Sequence, residues 1–175
     1  MKYQKCLRNL YFSFIYSYLY YCAEVYGSVP NNAIKPLQLI QNRALRALQF
    51  QNRYYPTNEL HKNFSILKVN DMVHYKQSKI IHSLLTGAQK LQTVMKKLIV
   101  PTKRVHQHQT RHRNPVYCVK PRRGIGKRQL KCNASKYYND MPSEVKSQES
   151  HGEFKKEFFN FILNSYETSL VNFAN

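Results

Sequence analysis

The sequence has few acidic residues, few glycines and no tryptophan. Against 28 Lys and Arg it has only 9 Asp and Glu, which gives a formal net charge of +19. With 5 Gly and 7 Pro, the chain is neither collagen-like nor rich in Pro and Gly. Hydrophobic residues make up 42% and aromatic residues 13%, which excludes a wholly disordered basic tail. We therefore expect a folded domain with an acidic partner, either nucleic acid or an anionic membrane.

The cationic residues are concentrated in the middle of the chain. Residues 1–71 carry 9 Lys and Arg and 3 Asp and Glu, and residues 140–175 carry 3 and 6. Residues 72–139, the acid-free stretch, carry 16 Lys and Arg and no Asp or Glu. Because a surface selected only for solubility mixes charges of both signs, this stretch is typical of a surface that lies against phosphates.

The sequence also lacks a long apolar run and paired cysteines. Leu10 to Tyr26 covers only seventeen residues and contains Ser13, Ser17 and Glu24, so it is a poor membrane span. No small-residue cleavage site follows it, and we expect no secretory signal. The four cysteines make no C-x-x-C pair, which favours free thiols in a reducing compartment.

The spacing of apolar residues predicts a mainly α fold, a helical bundle with a small basic β-hairpin arm and a C-terminal amphipathic helix. The segment 4–26 is aromatic-rich, and its pattern favours a buried helix, although its composition would also suit a strand. The residues of its expected buried face are Leu7, Leu10, Phe14, Tyr18 and Tyr21.

The second predicted helix, at 36–50, has two distinct faces. The expected buried stripe is Leu37, Ile40, Ala44, Leu45 and Leu48. The expected outer face, basic and rich in amides, is Asn42, Arg43, Arg46 and Gln49.

Further helices are predicted by caps and breaks. A short helix follows Thr57, another begins at Asn70-Asp71 and ends at Thr86-Gly87, and a further one falls within 88–98. The chain returns to helix after Met141-Pro142-Ser143. The last helix, near 153–171, has Phe154, Phe158, Phe161, Ile162 and Ser165 on one face.

The amino-acid composition changes between residues 102 and 128, where aliphatic residues are few. Val116–Val119 and Arg128–Cys132 are the predicted strands of a β-hairpin whose basic tip spans 120–126.

No group of residues in the sequence supports catalysis. Two-metal nucleotidyl transfer needs clustered carboxylates, whereas the nine here are scattered and no two are adjacent. The glycines at 124 and 126 lack the spacing of a phosphate-binding Walker loop. His106, His108 and His112 could seat a metal, but they lie among cations, and we expect them to belong to a polar binding arm. We predict a chain without enzymatic activity or cofactor of its own.

The acid-free stretch instead combines cations with interleaved tyrosines. Lys and Arg neutralise phosphates and Tyr stacks on bases; the alternative is a solvated basic face with tyrosines in the core. The candidate nucleic-acid-binding residues are Arg43, Arg46, Lys103, Arg104, Arg111, Arg113, Arg122, Arg123, Lys127, Arg128, Lys131, Tyr117 and Tyr138.

Six short motifs follow one another along the chain. They are L-Y-x-S-x-I at 10–15 with Y-G at 26–27, L-Q-x-x-Q-N-R-A-L-R at 37–46, I-L-x-V-x-D at 66–71, T-R at 110–111, G-K at 126–127 with N-x-x-P near 139–142, and F-K-K at 154–156. In these motifs and their order the chain resembles the region C-terminal to the palm in reverse transcriptases of non-LTR (LINE-type, jockey-like) retrotransposons. Tyr26 and Tyr138 stand where that family has Trp, and Cys132-Asn133-Ala134 lacks its Tyr-x-Gly.

The resemblance implies a fragment of an RNA-directed DNA polymerase that begins after the catalytic palm, so that Mg²⁺ would be needed only in the full-length polymerase. It implies a thumb-like helical region at 1–100, a basic arm at 101–142 and a C-terminal helix at 143–175. The implied partners are RNA, an RNA–DNA duplex and the upstream palm, in the nucleus or in a cytoplasmic ribonucleoprotein. The alternative is a basic protein-interaction or anionic-membrane-surface module without stable membrane insertion, which would dock through its Tyr-rich helix.

Overall fold

Helices make up nearly all of the regular structure in the computed structural model, which describes residues 2–87, 99–105, 114–118, 120–122 and 124–171. The helices are α1 (Lys2–Tyr11), α2 (Ser17–Tyr20), α3 (Ala23–Tyr26), α4 (Asn31–Leu48), α5 (Thr57–Asn63), α6 (Val69–Thr86), α7 (Thr102–Val105), α8 (Gly124–Arg128), α9 (Leu130–Asp140), α10 (Ser143–Lys146) and α11 (His151–Val171). A π-helical turn, Phe12–Tyr16, joins α1 to α2. The predicted mainly α class is confirmed.

Contacts divide the chain into two units. The N-terminal unit comprises Met1–Val73 and Phe159–Asn175, and the central unit comprises His74–Phe158. Helices α6 and α11 each contribute residues to both units. The three regions expected from the resemblance stay a prediction.

The first segment is helical as expected, but its buried face is not the expected one. Tyr11 and Ala23 are fully buried, whereas Phe14, Tyr18 and Tyr21 are exposed to 68%, 79% and 76%. The π-helical turn and a left-handed residue at Cys22 (φ 50°) shift the angular register along this segment. Because aromatic residues occur on every side of it, spacing alone did not identify the face that packs.

Helix α4 begins at Asn31, five residues before the predicted start, and contains Pro36 in its interior. Leu45 is fully buried, as predicted, and it joins Tyr11 and Leu60 in the core of the N-terminal unit. The other predicted core positions differ: Leu37, Ala44 and Leu48 are half-buried and Ile40 is exposed, while Ile34, Gln41 and Asn42 are buried. The placement of Asn42 on the outer face is therefore wrong.

Close packing at Gly27 fixes the path of the chain after α3. A Cβ built on Gly27 would lie 2.1 Å from Cγ1 of Val73 and 2.9 Å from the carbonyl oxygen of Ala23. Any larger side chain would have to displace α6 or the preceding backbone.

Helices α5 and α6 match the sequence prediction closely. Helix α6 ends at Thr86, and Gly87 follows with φ +70°, the left-handed conformation that favours glycine at a helix end. Along α6 Val73 and Ile81 are buried. The helix predicted within 88–98 lies outside the described residues.

The predicted β-hairpin is wrong for the residues that the structure describes. Leu130–Asp140 is a helix, so Arg128–Cys132 is not a strand. On α9 the buried residues Cys132, Ser135 and Tyr138 recur at helical spacing. The predicted strand ended at Cys132 and therefore did not include this helical pattern. Val116 makes a single antiparallel bridge with Pro101; Val119 lies outside the described residues.

Helix α11 is confirmed, with a different inner face near its end. Phe154, Phe158, Ile162 and Tyr166 are buried at four-residue steps, whereas Phe161 is 43% exposed and Ser165 is exposed. Within the described ranges, no helix is both long enough and apolar enough to cross a bilayer.

Candidate nucleic-acid interface

The side chains of Gln38 and Gln41 on α4 form hydrogen bonds within the N-terminal unit. Gln41 donates from Nε2 to the Tyr11 hydroxyl and to the Leu67 carbonyl, at 2.9 Å each. Gln38 accepts the Val69 backbone N–H at 2.7 Å. Buried amides are stable only where such partners satisfy them. These residues of the L-Q-x-x-Q-N-R-A-L-R motif therefore join α4 to α1 and to the start of α6.

His61 completes this buried network. Its Nδ1 lies 3.1 Å from the Ile66 carbonyl, so Nδ1 carries the proton and donates it. Its Nε2 lies 3.0 Å from the side-chain amide of Asn42 and 3.4 Å from that of Gln38. Burial lowers the pKa of His61 to about 4. The ring is therefore neutral at physiological pH and serves the fold.

Asp71, the last acidic residue before the acid-free stretch, is also engaged inside the N-terminal unit. Its Oδ2 accepts a hydrogen bond from the Tyr166 hydroxyl at 2.5 Å. Burial, together with this carboxylate, raises the pKa of Tyr166 above its ordinary value. Lys68 lies with Nζ 4.4 Å from the centre of the same ring and donates to Asn58 at 2.6 Å.

The arginines of α4 lie on the other side of the helix and line an open pocket of about 660 Å³. The residues around this arginine pocket are Leu39, Arg43, Arg46, Gln51 and Arg53. The structure thus brings the two predicted residues Arg43 and Arg46 together, and it adds Arg53, which was not among the predicted residues. None of the five is acidic.

Arg46 is held in place by the loop that follows α4. Its Nη2 donates to the Tyr55 carbonyl at 3.4 Å and to Thr57 Oγ1 at 3.3 Å. Its Nε–H is buried without an acceptor. The guanidinium is therefore positioned and partly desolvated, while Arg43 is exposed.

The central unit places other predicted cations at its surface. The Thr102 N–H donates to the Pro115 carbonyl at 3.1 Å and the Tyr117 N–H to the Val100 carbonyl at 2.9 Å. This pairing brings the short helix with Lys103 and Arg104 beside the segment with Tyr117. Both cations are exposed and Tyr117 is 37% exposed.

Two more cations lie next to a close approach between Pro121 and Gly126. A Cβ built on Gly126 would lie 2.7 Å from Cβ of Pro121, so the two backbone segments approach closely there. Arg122 and Lys127 each follow one of the contacting residues, and both are exposed. Among the described residues of the acid-free stretch, the exposed Lys and Arg, which we name the central cations, are Lys103, Arg104, Lys120, Arg122, Lys127 and Lys136.

The remaining predicted residues have other positions. Lys131 is half-buried on α9. Tyr138 is 3% exposed, with its ring centre 6.3 Å from that of Phe154, and burial raises its pKa to about 12. Its ring therefore has no face open to a base, contrary to the stacking prediction. Arg111, Arg113, Arg123, the side chain of Arg128 and the three histidines at 106–112 lie outside the described residues.

The motif around Tyr138 supports the fold of the central unit. Asn139 donates from Nδ2 to the Val116 carbonyl at 2.8 Å, and its own carbonyl accepts Lys146 Nζ at 2.6 Å. Met141 is buried. These contacts attach the segment with Tyr117 to α9.

Aromatic and imidazole rings form part of the core of the central unit. His82 stacks on Phe154 with centroids 3.9 Å apart, and its Nε2 donates to the Gln148 carbonyl at 2.8 Å. His82 Nδ1 then accepts from His151 Nδ1 at 3.3 Å. Burial lowers the pKa of both histidines, so both are neutral at physiological pH.

Neither metal-ligand geometry nor similarity assigns an activity. In the part of the chain that the structure describes, no group of three or more His, Cys, Asp or Glu could hold a metal ion. No family model, no curated protein and no solved structure matches this chain.

Proposed function

We propose that the chain binds RNA or an RNA–DNA duplex through its central cations, as the non-catalytic, post-palm part of a retrotransposon RNA-directed DNA polymerase. The observation that carries this proposal is the exposure of six cations within a stretch that has 16 Lys and Arg and no acidic residue. Cations without neighbours of opposite sign create a positive potential, and phosphates that bind them release counterions.

The assignment to a polymerase rests on the order of the motifs. Three residues of these motifs, Gln38, Gln41 and Asn139, make side-chain hydrogen bonds within the fold. A purified chain with scattered carboxylates is expected to incorporate no nucleotide on a primed template with Mg²⁺ or Mn²⁺. Extension that is abolished by substitution of one of its acidic residues would contradict this expectation.

An interaction module remains the second candidate, and one observation favours it. Phe14, Tyr18, Tyr21 and Val25 of the first segment are exposed apolar side chains. Exposed apolar side chains of this kind are typical of a surface that meets a protein or the interface of a membrane. Flotation with phosphatidylserine vesicles, compared with retention of RNA at the same salt concentration, separates the two candidates.

A charge-matched pair of variants tests the proposal. The first variant replaces Lys103, Arg104, Arg122 and Lys127 by Ala and so removes four central cations. The slope of log affinity for RNA against log salt concentration should then become less steep by up to about 3.6. The control replaces Lys5, Lys35, Lys62 and Lys156, four exposed lysines outside the acid-free stretch, by Ala. Equal losses in the two variants would show that only net charge matters.

A further inference from the structure

We infer that the arginine pocket and the loop 49–55 beside it form a binding site for an unpaired strand of RNA or DNA. In this site the arginines hold phosphates, and Phe50 and Tyr54 stack on bases. The inference rests on the proposed nucleic-acid function and adds to it a site in the N-terminal unit, with its own ligand preference.

The positive charge of the pocket favours the binding of an anion. Three guanidinium groups line it and no acidic residue does, so their mutual repulsion is relieved when an anion enters. Arg46 is already oriented by Tyr55 and Thr57, and its Nε–H has lost water without gaining an acceptor. Planar guanidinium groups bind phosphate oxygens in pairs. The volume of about 660 Å³ is in the range of ligand pockets.

Phe50 occupies a position where glycine would be less costly. The Gln51 N–H donates to the Arg46 carbonyl at 2.9 Å and the Phe50 N–H to the Ala47 carbonyl at 3.3 Å, which is the glycine-type ending of a helix. Phe50 adopts φ +52° there, and its ring is 85% exposed. The residue therefore strains the backbone and buries little. Strain of this kind is concentrated at functional sites.

Tyr54 presents a second ring from the same loop. Its backbone N–H donates to Asn52 Oδ1 at 2.9 Å, which fixes the turn, and the next residue, Tyr55, packs against the core. The Tyr54 ring itself is 86% exposed. The two exposed rings thus flank two residues that line the pocket, Gln51 and Arg53.

The two exposed rings beside the arginines favour an unpaired strand over a duplex. In a duplex the bases are stacked on one another, whereas an unpaired strand offers base faces to aromatic side chains next to its phosphates. Cations interleaved with exposed rings are the combination that single-strand binders use.

The first experiment measures fluorescence anisotropy of a labelled 12-nucleotide single strand and of a duplex of the same length. R43Q with R53Q should weaken single-strand binding about tenfold and change duplex binding about twofold or less. Arg46 is left intact because it bonds the loop. The control, K5Q with K35Q, removes the same charge from exposed lysines of the same unit and should change both affinities little.

The second experiment separates the effect of Phe50 on single-strand binding from its effect on the stability of the fold. F50G should raise the Tm by about 2–4 °C, because it relieves the left-handed strain, and at the same time weaken single-strand binding several-fold. S65G is the control: Ser65 has the same φ of +52° at the end of α5, so its Tm should rise while binding stays unchanged. Likewise Y54L should weaken binding, and Y18L, at a ring that is 79% exposed, should not.

Each other outcome overturns the inference. A duplex bound as before while the single strand is not bound at all rejects the single-strand site and leaves the proposed function standing. Failure of both oligonucleotides to bind rejects the proposed function itself. Losses in R43Q/R53Q that equal those of the lysine control, unchanged binding in F50G, or capture of phosphopeptide or anionic vesicles in place of oligonucleotide also reject the site.

Discussion

The polar side chains of α4 and α5 in the N-terminal unit contrast with the cations of the acid-free stretch in the central unit. In the N-terminal unit the amides of α4 and the neutral His61 turn inward, where each finds a partner. In the central unit the cations stay at the surface of a stretch without carboxylates. A neutral amide can be buried at little cost once it is hydrogen-bonded, whereas a Lys or Arg without a carboxylate partner cannot. The polar residues of a motif therefore divide into those that build the fold and those that remain for a ligand.

The largest effect expected on the N-terminal unit comes from Leu45. Leu45→Ala should lower the free energy of unfolding by about 2–5 kcal/mol, because it opens a cavity in a fully buried cluster. Arg43→Gln, on the other side of the same helix, should change it by about 0.5 kcal/mol or less. Chemical denaturation of both variants measures this difference. Comparable losses in the two would mean that the helix packs through both faces.

Acid should destabilise the N-terminal unit through His61. In the unfolded chain this ring takes up a proton below its ordinary pKa of 6.5, whereas the folded chain takes it up only near 4. The unfolded state therefore binds more protons between these values, and about 3 kcal/mol of stability, fully present above pH 6.5, is lost as the pH falls to 4.

Comparison with His61→Gln isolates this contribution from that of His82 and His151. The variant loses buried hydrogen bonds at pH 7, but its stability should fall less steeply on acidification. Unfolding curves recorded from pH 7 to 4.5 give the two slopes. Parallel slopes would show that His61 is accessible to protons in the folded chain.

A smaller loss of stability is expected at Gly27. Gly27→Ala places a methyl group against Val73 and the Ala23 carbonyl, and we expect a loss of about 1–3 kcal/mol as the neighbours shift. The combination with Val73→Ala, which frees the space, should recover part of the loss relative to the sum of the single changes. Strict additivity of the two changes would contradict the observed contact.

Local signals predicted more of the fold than of the candidate site. The end of α6 at Thr86-Gly87 follows from the chain itself, as do the helix after Thr57 and the buried position of Leu45. The buried face of the first segment could not be predicted, because aromatic residues occur on every side of this helical segment.

Long-range contacts explain what the sequence did not reveal. Asn42 was expected at the surface because amides are usually solvated, but its partner His61 comes nineteen residues later. Arg53 joins Arg43 and Arg46 only because the loop folds back on α4. Phe50 and Tyr54 stand on either side of Arg53 in the sequence, but the sequence alone does not show that Arg53 meets the arginines of α4.

The salt dependence of RNA binding tests the central claim most directly. If the Lys and Arg of the acid-free stretch contact phosphates, about 4–8 contacts on a duplex give a slope of about −4 to −7 in a plot of log affinity against log salt concentration. The slope should be less steep on a single strand. Anisotropy titrations of the full chain between 50 and 400 mM salt measure it. A slope in this range, reduced by loss of the central cations, is the predicted result, and a slope near zero would contradict the claim.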